Sequence, residues 1–398
     1  MLAKSPPDSD LIGDGFPVAG ASVAIFTSLS QCEDIWRRAL GHCVCYAFQT
    51  FEWQSAWHDT IASTMDVSVA IIHVAAADGR TLVLLPLGIF PRGRLRLLQF
   101  LGGSLTDYNV PLIDRELVSR LTGRDLSRLL DLVLARLPPV DLIWLQRIPQ
   151  RIEDVPNPMA ELDGSRRTDT AFAATLPASF AEFTAARSTA FFSQGRRYAR
   201  RLAKAVNDRV VIDIADCHDR RSDIIRVGME QKARWLRQSG LPDTFDVPGQ
   251  KEFYERITHA SFQEGRILVA SLRIGEEIVA TMWGPIFRGR FCFLLTSYEE
   301  RWKQYSVGRL LMESTVRWCI AQDDIDMFDL TVGDESYKRH WADQTLELYE
   351  YLDYRSFRGA LFALYQDVRW RLKRNATLRG SVRTVLATLR RWRHQRGM

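Results

Sequence analysis

In this 398-residue chain two stretches gather residue types that can do chemistry. The first is Tyr305-Ser306-Val307-Gly308-Arg309-Leu310-Leu311, after which Thr315, Trp318 and Cys319 continue a helical spacing, so a helix opens near Gly308. The first turn of a helix carries unpaired N–H groups and a positive partial charge, and a glycine there lets a phosphate approach the main chain. The backbone of Ser306, Val307, Gly308 and Arg309 is therefore suited to a pyrophosphate. The second stretch is Asp326–Val332 (DMFDLTV) with the Gly333-Asp334-Glu335-Ser336-Tyr337-Lys338 that follows it. As a strand it places Phe328, Leu330 and Val332 on one face and Met327, Asp329 and Thr331 on the other. With the first set in a core, Asp329 looks toward a cleft, where a partly buried carboxylate can take a proton. The other reading of Asp329 is a holding role, accepting hydrogen bonds from the amides of Gly333, Asp334 and Glu335. Tyr337 and Trp341 share a face if their segment is helical.

The elements around these stretches are legible from pattern. Arg266–Ile274, Glu277–Phe287 and Arg290–Tyr298 read as strands joined by hairpin turns at Gly275-Glu276 and Arg288-Gly289. They deliver the helix at Val307, and the strand at Asp326 follows it. This order, with Ser306-Val307-Gly308-Arg309-Leu310-Leu311, then Phe328-Asp329-Leu330-Thr331-Val332-Gly333-Asp334-Glu335-Ser336-Tyr337-Lys338 and Trp341, resembles the GNAT-type N-acetyltransferases. Within them it is similar to the CelD/BcsL-type proteins associated with cellulose and exopolysaccharide loci. Where that family has proline before the glycine this chain has Val307, and where simple GNAT enzymes have a further glycine it has Ser306.

The resemblance implies acetyl-coenzyme A as acyl donor, held by the amides of Val307, Gly308 and Arg309 after Ser306, with Tyr298 facing the acyl group. Acyl transfer needs a held thioester, donors for the oxyanion and a path for the acceptor's proton. In that scheme Asp329 takes the proton, Tyr337 protonates the leaving thiolate and Lys338 orients the acceptor or neutralises charge. Asp107 and Tyr108, in the loop Gly102-Gly103-Ser104-Leu105-Thr106-Asp107-Tyr108-Asn109, and Trp235 on the helix Ile224–Leu236 are candidate acceptor contacts.

The first half repeats the grammar of the second without repeating its sequence. Ser22–Thr27, Val67–Ala75, Thr81–Phe90, Leu95–Leu101 and Asp141–Gln146 read as strands, and Arg124–Leu137 as an amphipathic helix. A capping-box pair, Ser30 with Glu33, opens a helix through Trp36 and Leu40. Ala171–Leu176 leads across to the second half, and Ser193–Val206 is a basic helix carrying Arg196, Arg197, Arg200, Arg201 and Lys204. The expected fold class is α/β with mixed sheets. It comprises two tandem GNAT-like halves, 21–165 and 166–354, as in Fem-type aminoacyl transferases, with an arm at 1–20 and a basic helical tail at 355–398.

The tail holds twelve Lys or Arg against Asp367 alone, so it carries +11 of a net charge of +5 and leaves the rest at −6. It could contact an anionic membrane surface or RNA, or stand solvated, with helices over Leu361–Leu372 and Val382–Leu389. Six cysteines lack CxxC pairing, which points to reduced thiols and the cytoplasm. His42-Cys43-Val44-Cys45 has no companion ligand cluster, so no metal is expected. Met1 to Gly20 does not read as a signal peptide, and no run reads as bilayer-spanning, as a P-loop, as a Rossmann fingerprint or as a Ser-His-Asp order. The expected activity is acyl-coenzyme A dependent N- or O-acylation of a sugar or polysaccharide precursor. The alternatives are aminoacyl transfer from charged tRNA, or a non-catalytic partner of an exopolysaccharide synthase.

Overall fold

The computed structural model describes residues 10–12, 16–206 and 209–374. The tail helix expected over Val382–Leu389 and most of the N-terminal arm lie outside the described residues. In the first half the elements are β1 (Ser22–Phe26), α1 (Leu29–Leu40), α2 (Phe51–Thr60), β2 (Ser68–Ala75), β3 (Thr81–Arg92), β4 (Leu95–Phe100), α3 (Gly123–Leu134) and β5 (Leu142–Pro149). Next come β6 (Arg166–Thr175), α4 (Thr189–Ala205), β7 (Val210–Ile214), α5 (His218–Gln238), α6 (Gln250–Thr258), β8 (Arg266–Ile274), β9 (Glu277–Phe287), β10 (Gly289–Cys292) and β11 (Leu295–Tyr298). The described chain closes with α7 (Val307–Ile320), β12 (Ile325–Val332), β13 (Gln344–Tyr354) and α8 (Phe357–Arg374).

Both halves contribute to one 16-stranded sheet whose main order is β1-β2-β3-β4-β5-β13-β6-β12-β10-β9-β8-β7. Asp10 and Leu11, from the arm, extend the β1 edge. The last strand of the second half, β13, lies between β5 and β6, pairing Leu348 with Pro149 and Leu346 with Ala171. The halves are thus hydrogen-bonded to one another as well as packed. Two apolar clusters fill the layers: one runs through the first half and across to Trp283 and Leu348, the other lies around Phe172, Val279, Leu311 and Phe328. The aromatics of α2, Trp53 and Trp57, are core residues in this packing. Helix α1 is entered from Ser28, without a side-chain cap, so the Ser30–Glu33 pair lies inside it.

Each half contains a fork. In the first, β4 and β5 run parallel and pair at Leu97–Leu142 and Leu98–Ile143. In the second, β10 and β12 run parallel from Gly289–Ile325 to Cys292–Asp329, and Phe293 N–H closes the last rung on the Asp329 carbonyl at 2.8 Å. The expected single strand Arg290–Tyr298 is broken here. Its continuation β11 pairs with β9 alone, so β11 and β12 diverge. A β-bulge marks the corresponding place in each fork: Arg147 on β5 and Thr331 on β12 have φ of 56° and 57°, and both sit where the ladder shifts register.

Gly284 on β9 is where that strand changes partner, from β10 at Ile286–Phe291 to β11 at Trp283–Leu295. A Cβ there would lie 1.8 Å from the Cys292 carbonyl oxygen. Gly284→Ala is therefore expected to destabilise the protein by about 2–3 kcal/mol or more, read as a lowered urea midpoint, because neither backbone can move without opening the fork.

Candidate active site

Asp329 sits at the apex of the second fork, fully buried. Tyr108 Oη donates to both of its oxygens, at 2.8 and 3.0 Å, Arg290 donates to Oδ2 at 2.7 Å, and the Thr331 amide donates to Oδ1 at 2.7 Å. The amide that holds Asp329 is thus that of the bulge residue, two positions on, and not one from Gly333-Asp334-Glu335. Burial opposes the charge on Arg290, and Asp329, with Tyr46 and Tyr108 alongside, more than offsets it, so the guanidinium stays protonated. Burial and the neighbouring carboxylate push the Tyr108 hydroxyl far above its ordinary range, so it remains a donor. The Asp329 carboxylate is therefore closed to an incoming acceptor in this arrangement. It ties the first half, through Tyr108, to both arms of the second fork.

Asp107, next to Tyr108, lies between the two bulges. Arg147 reaches it at 3.0 Å and also donates to the Thr106 carbonyl at 2.6 Å. Burial pushes the Asp107 carboxyl above the usual range, against the opposing pull of Arg147, Thr331 and Lys338. Asp107 faces a cavity of about 100 Å³ lined by Trp53, Phe253, Tyr254, Trp283 and Leu294, so it is a carboxylate beside space. Lys338 is buried; its Nζ donates to the Val332 carbonyl at 2.7 Å and pairs with Glu335 at 3.0 Å. Tyr337 is 38% exposed and lines neither this cavity nor the larger one between β4, β5 and α8; its hydroxyl is raised by partial desolvation and by Glu335. Trp235 is on the outer part of α5, with Lys232 Nζ 4.5 Å from its ring centroid, and likewise lines neither.

At the open end of the fork, Ser306 adopts a left-handed conformation (φ 52°) and starts α7 without a side-chain cap. The first helical hydrogen bond is Leu310 N–H to the Ser306 carbonyl, so the Val307, Gly308 and Arg309 amides have no partner within the helix. The first turn contains no acidic residue. A Cβ on Gly308 would lie 3.4 Å from the Tyr298 ring, which places this turn beside the end of β11. The Arg309 side chain turns away to α4, where it stacks on Phe191 with Cζ 3.7 Å from the ring centroid and donates to the Phe191 carbonyl. Its contribution here is its backbone.

The equivalent helix of the first half is built differently. Thr122 caps α3 by accepting from the Asp125 amide, and the Asp125 side chain accepts from the Thr122 amide at 2.9 Å. That capping box occupies amides and sets a carboxylate in the first turn, which disfavours an anion. Only the second half therefore offers a phosphate-ready helix start among these two. Among the described residues no group of three His, Cys, Asp or Glu side chains is placed to hold a metal ion, and no helix is long and apolar enough to cross a membrane.

Of the residues singled out from the sequence, the fold brings Asp107, Tyr108, Asp329 and Lys338 together at one fork, with the 306–309 turn at its open end. Pattern reading missed Arg147 and Arg290. The signal for Arg290 was present, since an arginine within an otherwise apolar strand requires a buried partner.

Residues 190–339, within the second half, match the family model described as an acetyltransferase (GNAT) domain. No curated protein matches the sequence. Among solved structures the chain is similar to FemX, with a TM-score of 0.55 and 8% identity over 83% of this chain and 97% of that one. It is similar as well to a conserved protein of unknown function from Bacteroides thetaiotaomicron VPI-5482 (TM-score 0.50, 10% identity, 84% and 100% covered). A third likeness is to the C-terminal domain of a putative lysylphosphatidylglycerol synthetase from Agrobacterium fabrum (TM-score 0.50, 11% identity, 86% and 97% covered). At these identities the likeness is one of fold.

The Asp329 cluster is expected to be a stability determinant. Asp329→Asn should cost about 3–5 kcal/mol by leaving Arg290 buried without its counter-charge, and Tyr108→Phe about 1.5–3 kcal/mol, both measured by urea denaturation.

Proposed function

We propose that the chain transfers the acyl group of acyl-coenzyme A, acetyl-coenzyme A in the first instance, to a hydroxyl or amine of a saccharide acceptor. The observation that carries this reading is the uncapped α7 start lying against the open end of the β11–β12 fork. A diphosphate on the 307–309 amides directs the pantetheine arm into the fork, where one edge of β11 has no strand partner and can donate N–H groups to the thioester oxygen. The acceptor attacks the carbonyl carbon from the Asp107 side. Its proton passes to Asp107, which burial makes a stronger base than an exposed carboxylate, and the C–S bond breaks. Tyr337 is assigned the return of a proton to the thiolate. Asp329 and Lys338 hold the apex and bulge, and so serve as positioning groups. The saccharide acceptor, and a place in cellulose or exopolysaccharide synthesis, rest on the resemblance to the CelD/BcsL-type proteins.

A second reading, aminoacyl transfer from a charged RNA, draws support from α4. Arg196, Arg197, Arg200 and Arg201 are exposed there, with no carboxylate partner among the described residues. An RNA that binds while coenzyme A does not would favour it.

Calorimetry with acetyl-coenzyme A should show binding that Gly308→Pro weakens at least about tenfold. Proline is tolerated in the first helical turn but removes one of the donors. Absence of binding by the folded wild type would overturn the proposal. Asp107→Asn should lower turnover by about 10²–10⁴. In the wild type kcat/KM should fall as pH drops through the raised Asp107 pKa, because the protonated acid cannot act as base, and this acidic limb should vanish in the variant.

A further inference from the structure

The first fork encloses a cavity of about 1490 Å³, larger than the roughly 300–1,000 Å³ of ordinary small-molecule sites. It opens where the β4–β5 pairing stops after Leu98–Ile143, and α8 forms its far wall. Its accessible rings are Trp144 from the first half and Tyr365 and Trp370 from α8, backed by the buried Trp57, Phe90 and Phe100. Interleaved among these rings are side-chain amides, two of which are more than nine-tenths buried and each leave one atom without a partner: Oδ1 of Asn109 and Nε2 of Gln366. Broad ring faces alternating with planar amides suit a polyhydroxylated chain. The rings pack on C–H faces, and the amides pair with hydroxyls.

Charge narrows the ligand further. Arg166 in the wall is neutralised by Glu350 at 2.7 Å and Asp367 at 2.8 Å, whereas Arg92 and Arg369 have no carboxylate partner among the described residues; Asp169 is an exposed lining carboxylate without an ion pair, so the unpaired charges are two guanidiniums against one carboxylate. Arg92 lies over the rings of Trp144 and Phe362, with Cζ 5.8 and 5.1 Å from the centroids. The capped α3 beside this half argues against a coenzyme diphosphate as occupant. Ser104 lines both this cavity and the small one at Asp107, and the Arg147–Asp107 pair spans the same boundary.

We propose that this cavity is the acceptor site, and that it holds an acidic oligosaccharide whose reacting end passes Ser104 to reach Asp107. The inference rests on the acyl-transfer reading for its chemistry, but its binding claim stands apart from it. Titration of the full-length protein with tetragalacturonate, in the absence of any coenzyme, should show saturable binding. Arg92→Gln and Arg369→Gln should each weaken it at least about fivefold. The neutral tetramer cellotetraose should bind the wild type at least about tenfold more weakly, and galacturonate monomer more weakly still. Arg369 is exposed and forms no ion pair among the described residues, so its variant tests charge without threatening the fold. No binding of the acidic tetramer, equal binding of the neutral one, or indifference to both arginine changes would overturn the proposal. Acetyl-coenzyme A binding, measured separately on the same variants, should be unchanged. Its absence in the wild type would count against the acyl-transfer reading alone.

Discussion

A single buried carboxylate is the point on which the two halves turn. Asp329 lies where β10 and β12 stop pairing, and a strand pair that parts there leaves main-chain groups in need of partners. The Thr331 amide, freed by the bulge, is satisfied by the Asp329 side chain, and Arg290 from the opposite arm balances the charge. Tyr108 completes the shell from the first half. Three donors from three segments make the fork rigid at its apex and leave it open toward α7. Removing one donor would leave the others facing an incompletely satisfied charge in a buried site, where such a defect is costly.

The halves share a topology and a bulge, yet they differ at the residue level in ways that divide labour. In the second half the helix after the fork begins on Ser306-Val307-Gly308, uncapped and without acids. In the first it begins on a reciprocal Thr122–Asp125 box. One end invites an anion and the other has already spent its amides. The first fork is broad and ring-lined, its wall carries the unpaired Arg92 and Arg369 against Asp169, and α8 closes its far side. Asp107 stands between the forks, held by the bulge residue of one and adjoining that of the other.

Much of this was legible because the determinants are local. The glycine at 308, the alternation in Asp326–Val332 and the strand runs on either side of Gly275 and Arg288 each report on their own segment. The nonlocal features were not. The short strand β7 at Val210–Ile214 is half exposed, so its pattern is weak, and β13 alternates charged and aromatic residues whose burial depends on β5 and β6 beside it. The break between β10 and β11 left no composition signal, since Phe293 and Leu294 suit a continuous strand. Asp329 was identified as a polar residue on a cleft-facing side. That its shell comes from Tyr108, some two hundred residues earlier, could be read only from the fold. The first cavity likewise joins β4, β5 and α8, which no window of sequence brings together.

The proposed reaction requires the main chain at 307–309 to grip the diphosphate of a coenzyme whose thiol end enters the β11–β12 fork. A crystal structure with coenzyme A bound tests it most directly. The account predicts diphosphate oxygens within about 3 Å of the Val307, Gly308 and Arg309 amides, with the sulfur between β11 and β12 on the Asp107 side. A diphosphate seated in the first fork, or a thiol end directed away from Asp107, would contradict it.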